Sequence, residues 1–225
     1  MRMPVDGSWV WNLLWVVVRV LYPFFCRLQV EGAEHVPLQG GCVLACNHNM
    51  GPDYFLLGVS TPRQIFFMGK AEIFRYNPLI SKVLLKAGVF PIERGRQDAA
   101  ALNRAADVVR AGRVLGMYPE GTRSRTGLLQ RGKSGAARIA MAAGVPVVPA
   151  VVINSAQVFR SPLAFWKRPL VTVRFGEPLL WPGDTADAAA ARAFTEWIMR
   201  SMAAMLPPEL RGVYADVEEF EAGDE

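Results

Sequence analysis

The chain has 225 residues, of which 52% are hydrophobic and 20% charged. That suits one domain with a single large core and excludes a low-complexity or largely disordered protein. The net charge of +5 hides an asymmetry: residues 216–225 carry six acids and no base, which leaves 25 Lys and Arg against 14 Asp and Glu, a net of +11, in residues 1–215.

A basic body with an acidic tail suits an anionic partner, whether nucleic acid, anionic lipid or a phosphorylated substrate. The three cysteines, Cys26, Cys42 and Cys46, have neither disulfide parity nor metal-ligand spacing. They are expected to be core thiols in a reducing compartment.

Residues 8–26 are the most apolar segment and hold Trp9, Trp11 and Trp15, three of the six tryptophans. A cleaved signal peptide is disfavoured by this aromatic density and by the lack of an Ala-x-Ala site. A spanning helix is disfavoured because Asn12, Arg19 and Pro23 interrupt the run. An amphipathic helix lying among lipid headgroups tolerates all three and favours Trp at that depth; a buried N-terminal helix is the competing reading. Residues 1–26 are therefore expected to be an interfacial membrane helix, 27–215 one domain, and 216–225 a disordered acidic tail.

From residue 27, apolar runs of strand length alternate with helix-length segments. The pattern predicts strands at 27–31, 42–46, 64–68, 113–118, 146–152 and 170–175, and helices at 52–59, 77–87, 97–111, 133–143 and 185–205. This is an α/β order, a mostly parallel mixed sheet flanked by helices. Ligands of such sheets bind beyond the carboxyl ends of strands, where His48, Arg94 and Glu120 would gather.

The stretch Cys42 to Asp53 is the most informative. A buried strand stops at Asn-His48-Asn-Met-Gly-Pro-Asp53, and a helix is expected to start there. Asp53 in the first turn is favoured by free N–H groups and the helix dipole. A loop folding back could let it hold one ring nitrogen of His48, leaving the other as a general base. Taken alone, such a pair is better explained by a loop histidine and a helix cap. The chain has only two histidines, however, and His35 reads as a turn residue, so His48 is the one obvious base.

Arg94 and Arg96 emerge from an apolar run beside Gly95, a pattern that in isolation means surface arginines. Tyr118-Pro-Glu120-Gly121-Thr122-Arg123-Ser-Arg125 is more pointed. Gly121 allows close backbone approach, Arg123 supplies charge, and the turn could cradle an oxyanion or phosphate, with Glu120 orienting the arginines. Residues 127–134 match the phosphate-loop pattern Gly-x4-Gly-Lys-Ser, but polar sequence rather than a strand leads into them, so they read as a basic helix start. No Gly-x-Ser-x-Gly elbow occurs.

Four blocks in order, Asn47 to Asp53, Gly88 to Gly95, Tyr118 to Ser124 and Val145 to Pro149, resemble the glycerolipid acyltransferases typified by 1-acylglycerol-3-phosphate acyltransferase; Gly69-Lys70-Ala-Glu72 looks similar too. The resemblance covers roughly residues 25–180, and the chain is short for that family. It implies acyl transfer from acyl-CoA or acyl-carrier protein to the free hydroxyl of 1-acylglycerol-3-phosphate, giving phosphatidic acid, with His48 as base and Asp53 orienting it.

The resemblance further implies that Arg94, Glu120, Gly121, Thr122 and Arg123 bind the acceptor with Lys70 helping, that no cofactor or metal is needed, and that the partners are a lysophospholipid, the acyl donor and an anionic membrane surface rather than nucleic acid. The expected location is the cytoplasmic face of the cell membrane. Two alternatives are transfer to another lysolipid or amino-lipid acceptor, and a P-loop phosphotransferase resting on 127–134. A non-catalytic membrane-binding module is a third.

Overall fold

Residues 42–46 are apolar throughout, and a strand can bury such a run only if helices cover both faces of its sheet. The computed structural model, which describes residues 3–92, 99–158, 164–183 and 187–217, places this strand at the middle of a seven-stranded sheet. In chain order the strands are β1 (Arg27–Glu31), β2 (Cys42–Cys46), β3 (Ile65–Lys70), β4 (Val89–Ile92), β5 (Val114–Met117), β6 (Val147–Ile153) and β7 (Leu170–Phe175). Across the sheet the order is β1-β7-β6-β2-β5-β3-β4. Every pairing is parallel except β6 with β7, so β1 and β7 run against the other five.

The helices are α1 (Trp9–Phe25), α2 (Asp53–Ser60), α3 (Ala71–Tyr76), α4 (Pro78–Lys86), α5 (Ala99–Arg110), α6 (Gly135–Ala143), α7 (Ala164–Lys167) and α8 (Ala188–Ala204). Strand alternation splits the core in two. Val43, Ala45, Leu115, Val147 and Val151 face α5, α6 and α8, where Phe194, Ile198 and Met199 are fully or almost fully buried. Cys42, Leu44, Cys46, Val148 and Val152 face α2, where Leu56 and Leu57 cover them.

All six expected strands form. The seventh, β4, escaped the reading because Pro91 lies inside it; as an edge strand it has a side with no ladder to break, and a proline is tolerated there. The six-residue α3 was also unforeseen, being too short to show a helical period. His35 closes a 3-10 turn, Ala33–His35, its Nδ1 2.9 Å from the Phe175 carbonyl oxygen.

The residues before the boundary expected at residue 26 are tied to the rest of the chain. Asp6 pairs with the Arg63 guanidinium at 2.9 Å and accepts the Gln64 N–H; the Ser8 N–H donates to Gln64 Oε1 and Ser8 Oγ caps α1. Arg63 is buried and also donates to the carbonyls of Pro37, Gly40 and Gly112, so removing residues 1–26 would leave a buried charge without its acid. At the other end, Asp216 of the acidic tail pairs with Arg200 at 3.0 Å; residues 218–225 lie outside the described residues.

The other side of α1 is uncovered. Trp9, Leu13, Val16, Val17, Val20 and Phe24 recur at helical spacing and are exposed, and Leu79, Ile80 and Val83 of α4 are exposed too. Among the described residues, no helix is long and apolar enough to cross a membrane.

All three cysteines are free and buried. Burial pushes the Cys42 thiol up to about 12 and the Cys46 thiol well above its ordinary value. Because the thiolate is the reactive form, a raised value lowers reactivity at neutral and mildly alkaline pH. Native protein at pH 8 should therefore resist Ellman's reagent and release three equivalents in denaturant; rapid native reaction of Cys42 or Cys46 would contradict this packing.

Candidate active site

The parallel strands β2 to β6 all end on one edge of the sheet, and the chain leaves each end differently. After β2, Asn47 continues the ladder with its side chain: Oδ1 accepts the Val152 N–H at 2.7 Å and Nδ2 donates to the Val152 carbonyl at 3.2 Å. Asn49 Nδ2 donates to the same carbonyl at 2.9 Å. His48 is thereby fixed between two residues tied to β6. Gly51 permits the return, since a Cβ there would lie 2.2 Å from the Ser155 carbonyl carbon.

The loop delivers His48 Nδ1 to 3.0 Å from Asp53 Oδ2. The same oxygen accepts the Asn49 N–H at 2.7 Å, and Oδ1 accepts the Ser155 hydroxyl at 2.5 Å. Asp53 is 0% exposed and His48 6%. With the carboxylate accepting at Nδ1, that ring nitrogen carries the proton and Nε2 presents a lone pair. The Tyr118 ring stacks on the imidazole at 4.0 Å and 20°, which fixes its plane. Asp53 is the first helical residue of α2, with Pro52 as its cap rather than inside it.

Glu120, expected to orient the arginines and bind the acceptor, is buried: Oε1 accepts the His48 N–H at 2.7 Å and Oε2 the Gln130 N–H at 3.0 Å. Desolvation raises its carboxyl above the ordinary range, opposed by those backbone hydrogen bonds. The Ser124 N–H donates to the His48 carbonyl at 2.7 Å, so the loops after β2 and β5 are held together by both.

Gly121, Thr122 and Arg123 are exposed and, with Lys70 at the end of β3 and Arg125, line a cavity of about 720 Å³ that also contains His48. Its other wall is apolar: Trp11, Leu14, Trp15 and Val18 of α1, Phe55 of α2, Ile73 of α3 and Leu84 of α4. The cavity is cationic along one border and hydrocarbon along the rest. Gly121 has φ +73°, a backbone conformation that glycine adopts without strain, and a Cβ there would sit 2.8 Å from Lys133 Nζ. Arg94 lies outside the described residues. Among the described residues no three or more His, Cys, Asp or Glu cluster as metal ligands.

Residues 127–134 do not form a phosphate loop: seventeen residues separate the end of β5 at Met117 from the start of α6 at Gly135, so no strand runs into Gly127. Two site residues escaped the sequence reading. Ser155 is 102 positions from its partner Asp53, and only its place just after an apolar strand marked it. Tyr54 looked like an ordinary helix residue, yet its hydroxyl lies 3.3 Å from His48 Nε2.

Fold and site together define an α/β protein with a buried imidazole–carboxylate pair at the carboxyl edge of a mostly parallel sheet, opening on an amphipathic cavity. The acyltransferase family model matches residues 27–153, which contain every described site residue assigned from sequence. A 1-acyl-sn-glycerol-3-phosphate acyltransferase of Bacillus subtilis is 31% identical over 153 residues, covering 68% of this chain and 73% of that protein.

The human 1-acyl-sn-glycerol-3-phosphate acyltransferase beta is 30% identical over 176 residues, 76% of this chain and 63% of its own length. A chloroplastic relative from Brassica napus is 33% identical over 64% of this chain, which spans only 42% of that protein. The fold matches the crystal structure of the 1-acyl-sn-glycerophosphate acyltransferase PlsC of Thermotoga maritima with a TM-score of 0.68 at 22% identity, over 84% of this chain and 76% of that one. The chain belongs to the acyltransferase family.

The clamp made by Glu120 can be tested directly. A glutamine has one acceptor oxygen for two backbone N–H groups, so Glu120→Gln leaves one donor facing an NH2 group, at a cost of about 1–3 kcal/mol. Denaturant unfolding should show that loss; an unchanged midpoint would mean the two N–H groups do not depend on the carboxylate.

Proposed function

We propose that the protein transfers a fatty acyl group from acyl-CoA or acyl-carrier protein to the free hydroxyl of 1-acylglycerol-3-phosphate, giving phosphatidic acid. The observation that carries this reading is the His48–Asp53 pair facing a cavity that is cationic on one border and apolar on the other. An acceptor with a phosphate and an acyl chain has the same polarity along its length. The Bacillus and human relatives, both named 1-acyl-sn-glycerol-3-phosphate acyltransferases, support it.

In this mechanism His48 Nε2 takes the proton of the acceptor hydroxyl as its oxygen attacks the thioester carbonyl carbon. The tetrahedral intermediate collapses with cleavage of the C–S bond, and the departing thiolate takes the proton back from the imidazolium. Asp53 holds the Nδ1 proton in place and balances the transient positive charge, while Asn49 and Ser155 fix the carboxylate. Arg123 and Lys70 attract the acceptor phosphate by charge-assisted contact, with Arg94 expected to add to them. Gly121 and Thr122 shape the turn beside them. Glu120 acts one step back, by holding the His48 backbone. The apolar walls keep water from the thioester, since hydrolysis competes with transfer.

Acceptor identity and mechanism are tested together by offering purified protein radiolabelled acyl donors and a panel of lysophospholipids. Lysophosphatidic acid should be the preferred acceptor; preference for another lysolipid would assign the protein to that one. His48→Ala should reduce transfer on the order of a hundredfold to ten-thousandfold. Near-normal turnover would sink the base assignment.

The exposed stripe of α1 fits the headgroup region of an anionic bilayer at the cytoplasmic face, with the +11 body adding attraction. Since deleting residues 1–26 would take Asp6 from the Arg63 network, the better test is a pair of charges on the outward face. Val17→Asp with Val20→Asp should lower binding to anionic vesicles while leaving the unfolding transition in place, and high salt should weaken wild-type binding only in part. Undiminished binding by the double variant would rule out this face as the anchor.

A further inference from the structure

Tyr54 sits on the first turn of α2, one residue after Asp53, and its side chain returns over the imidazole. Its hydroxyl is 3.3 Å from His48 Nε2, and the two rings meet edge to face at 5.3 Å. Asp53 accepts from Nδ1, so Nε2 has no proton to give and the Tyr54 O–H is the donor. Nε2 is also the atom that must receive a proton from the acceptor. Both His48 and Tyr54 line the same cavity.

We propose that Tyr54 guards the base: its hydroxyl occupies Nε2 while no acceptor is bound, gives way to the acceptor's hydroxyl, and so keeps His48 from activating water against the acyl donor. This rests on the acyl-transfer reading above. The unwanted step is balanced hydrolysis. Water would give a proton to Nε2 while its oxygen attacks the thioester carbonyl, the C–S bond would break, and the thiolate would recover the proton, leaving fatty acid and free thiol. A hydroxyl already donating to Nε2 takes the position through which that water would be activated.

The contact is suited to displacement. At 3.3 Å it lies at the long end of protein hydrogen bonds, so an incoming hydroxyl at closer range wins Nε2. A net hydrogen bond of ordinary strength biases such a competition about two- to tenfold. The Tyr54 ring is held independently of the hydroxyl, edge to face with Phe67 at 5.3 Å and with Tyr118 at 4.9 Å. Tyr54→Phe therefore keeps the ring packing and removes the hydroxyl.

The experiment compares full-length wild type with Tyr54→Phe in two assays. In the first, palmitoyl-CoA and palmitoyl-carrier protein are supplied with and without lysophosphatidic acid, and free thiol and lipid product are measured. The variant should hydrolyse donor two- to tenfold faster without acceptor, with a lower acceptor KM and a raised ratio of hydrolysis to transfer. A merely structural role would depress both reactions together. In the second, diethylpyrocarbonate modifies imidazole nitrogens. The His48 rate, assigned by its loss in His48→Ala, should rise by the same factor in Tyr54→Phe, while His35 serves as the internal reference.

Unchanged carbethoxylation of His48 overturns the contact, and unchanged donor hydrolysis in a variant that still transfers overturns the guarding role. Failure of wild type to acylate any acceptor speaks against the acyl-transfer reading instead, and the carbethoxylation rates decide the contact without it.

Discussion

Burying a carboxylate away from water costs several kcal/mol unless donors surround it, and Asp53 is fully buried. Its three donors come from two loops: the imidazole and the Asn49 backbone after β2, and the Ser155 hydroxyl after β6. The charge can sit at the start of α2 only if both loops close around it. The same closure aims His48 at the cavity. Glu120 repeats the device in the loop after β5, accepting the N–H of His48, 72 positions away, with one oxygen and the Gln130 N–H with the other. Two buried acids thus link the ends of β2, β5 and β6 into one rigid edge.

What the sequence revealed and what it hid divide along contact range. The His48–Asp53 pair was legible because both members lie within one strand-to-helix connection, where Gly51, Pro52 and an expected helix start limit the geometry. The six strands predicted were legible as apolar runs bounded by Gly, Pro and charge. Ser155 was not, because a serine after a strand has no chemical signature until β6 is known to lie beside β2. Glu120 is visible in the sequence, but an acid among arginines suggests ion pairs, whereas the backbone N–H groups of His48 and Gln130 that it accepts leave no trace in side-chain sequence. Lys133 reads in sequence as a basic helix start, yet its side chain packs against Gly121.

The N-terminal segment shows why composition alone left two readings open. An interfacial helix and a core helix both need apolar residues, and α1 uses its residues for both. Val10 is buried, and Trp11 and Trp15 line the cavity, whereas Trp9, Leu13, Val17 and Val20 face outward. Asp6 and Ser8 anchor the root of the helix on Arg63 and Gln64, which supplies a fixed base that a freely tethered amphipathic peptide lacks.

One helix therefore forms both a wall of the cavity and an exposed apolar stripe. With its outer stripe at the level of the headgroups, as proposed, the cavity opens a helix diameter, about 10–12 Å, from the acyl boundary. A lysolipid would then have to move its headgroup only toward Lys70 and Arg123, and its chain could follow along Leu14, Val18 and Ile73 without crossing water. Moving a long acyl chain through water costs about 0.8 kcal/mol per CH2, more than ten kcal/mol for a sixteen-carbon chain. Against a penalty of that size, a cavity wall that is also the membrane contact lowers the barrier to substrate entry far more than any single polar contact at the headgroup could.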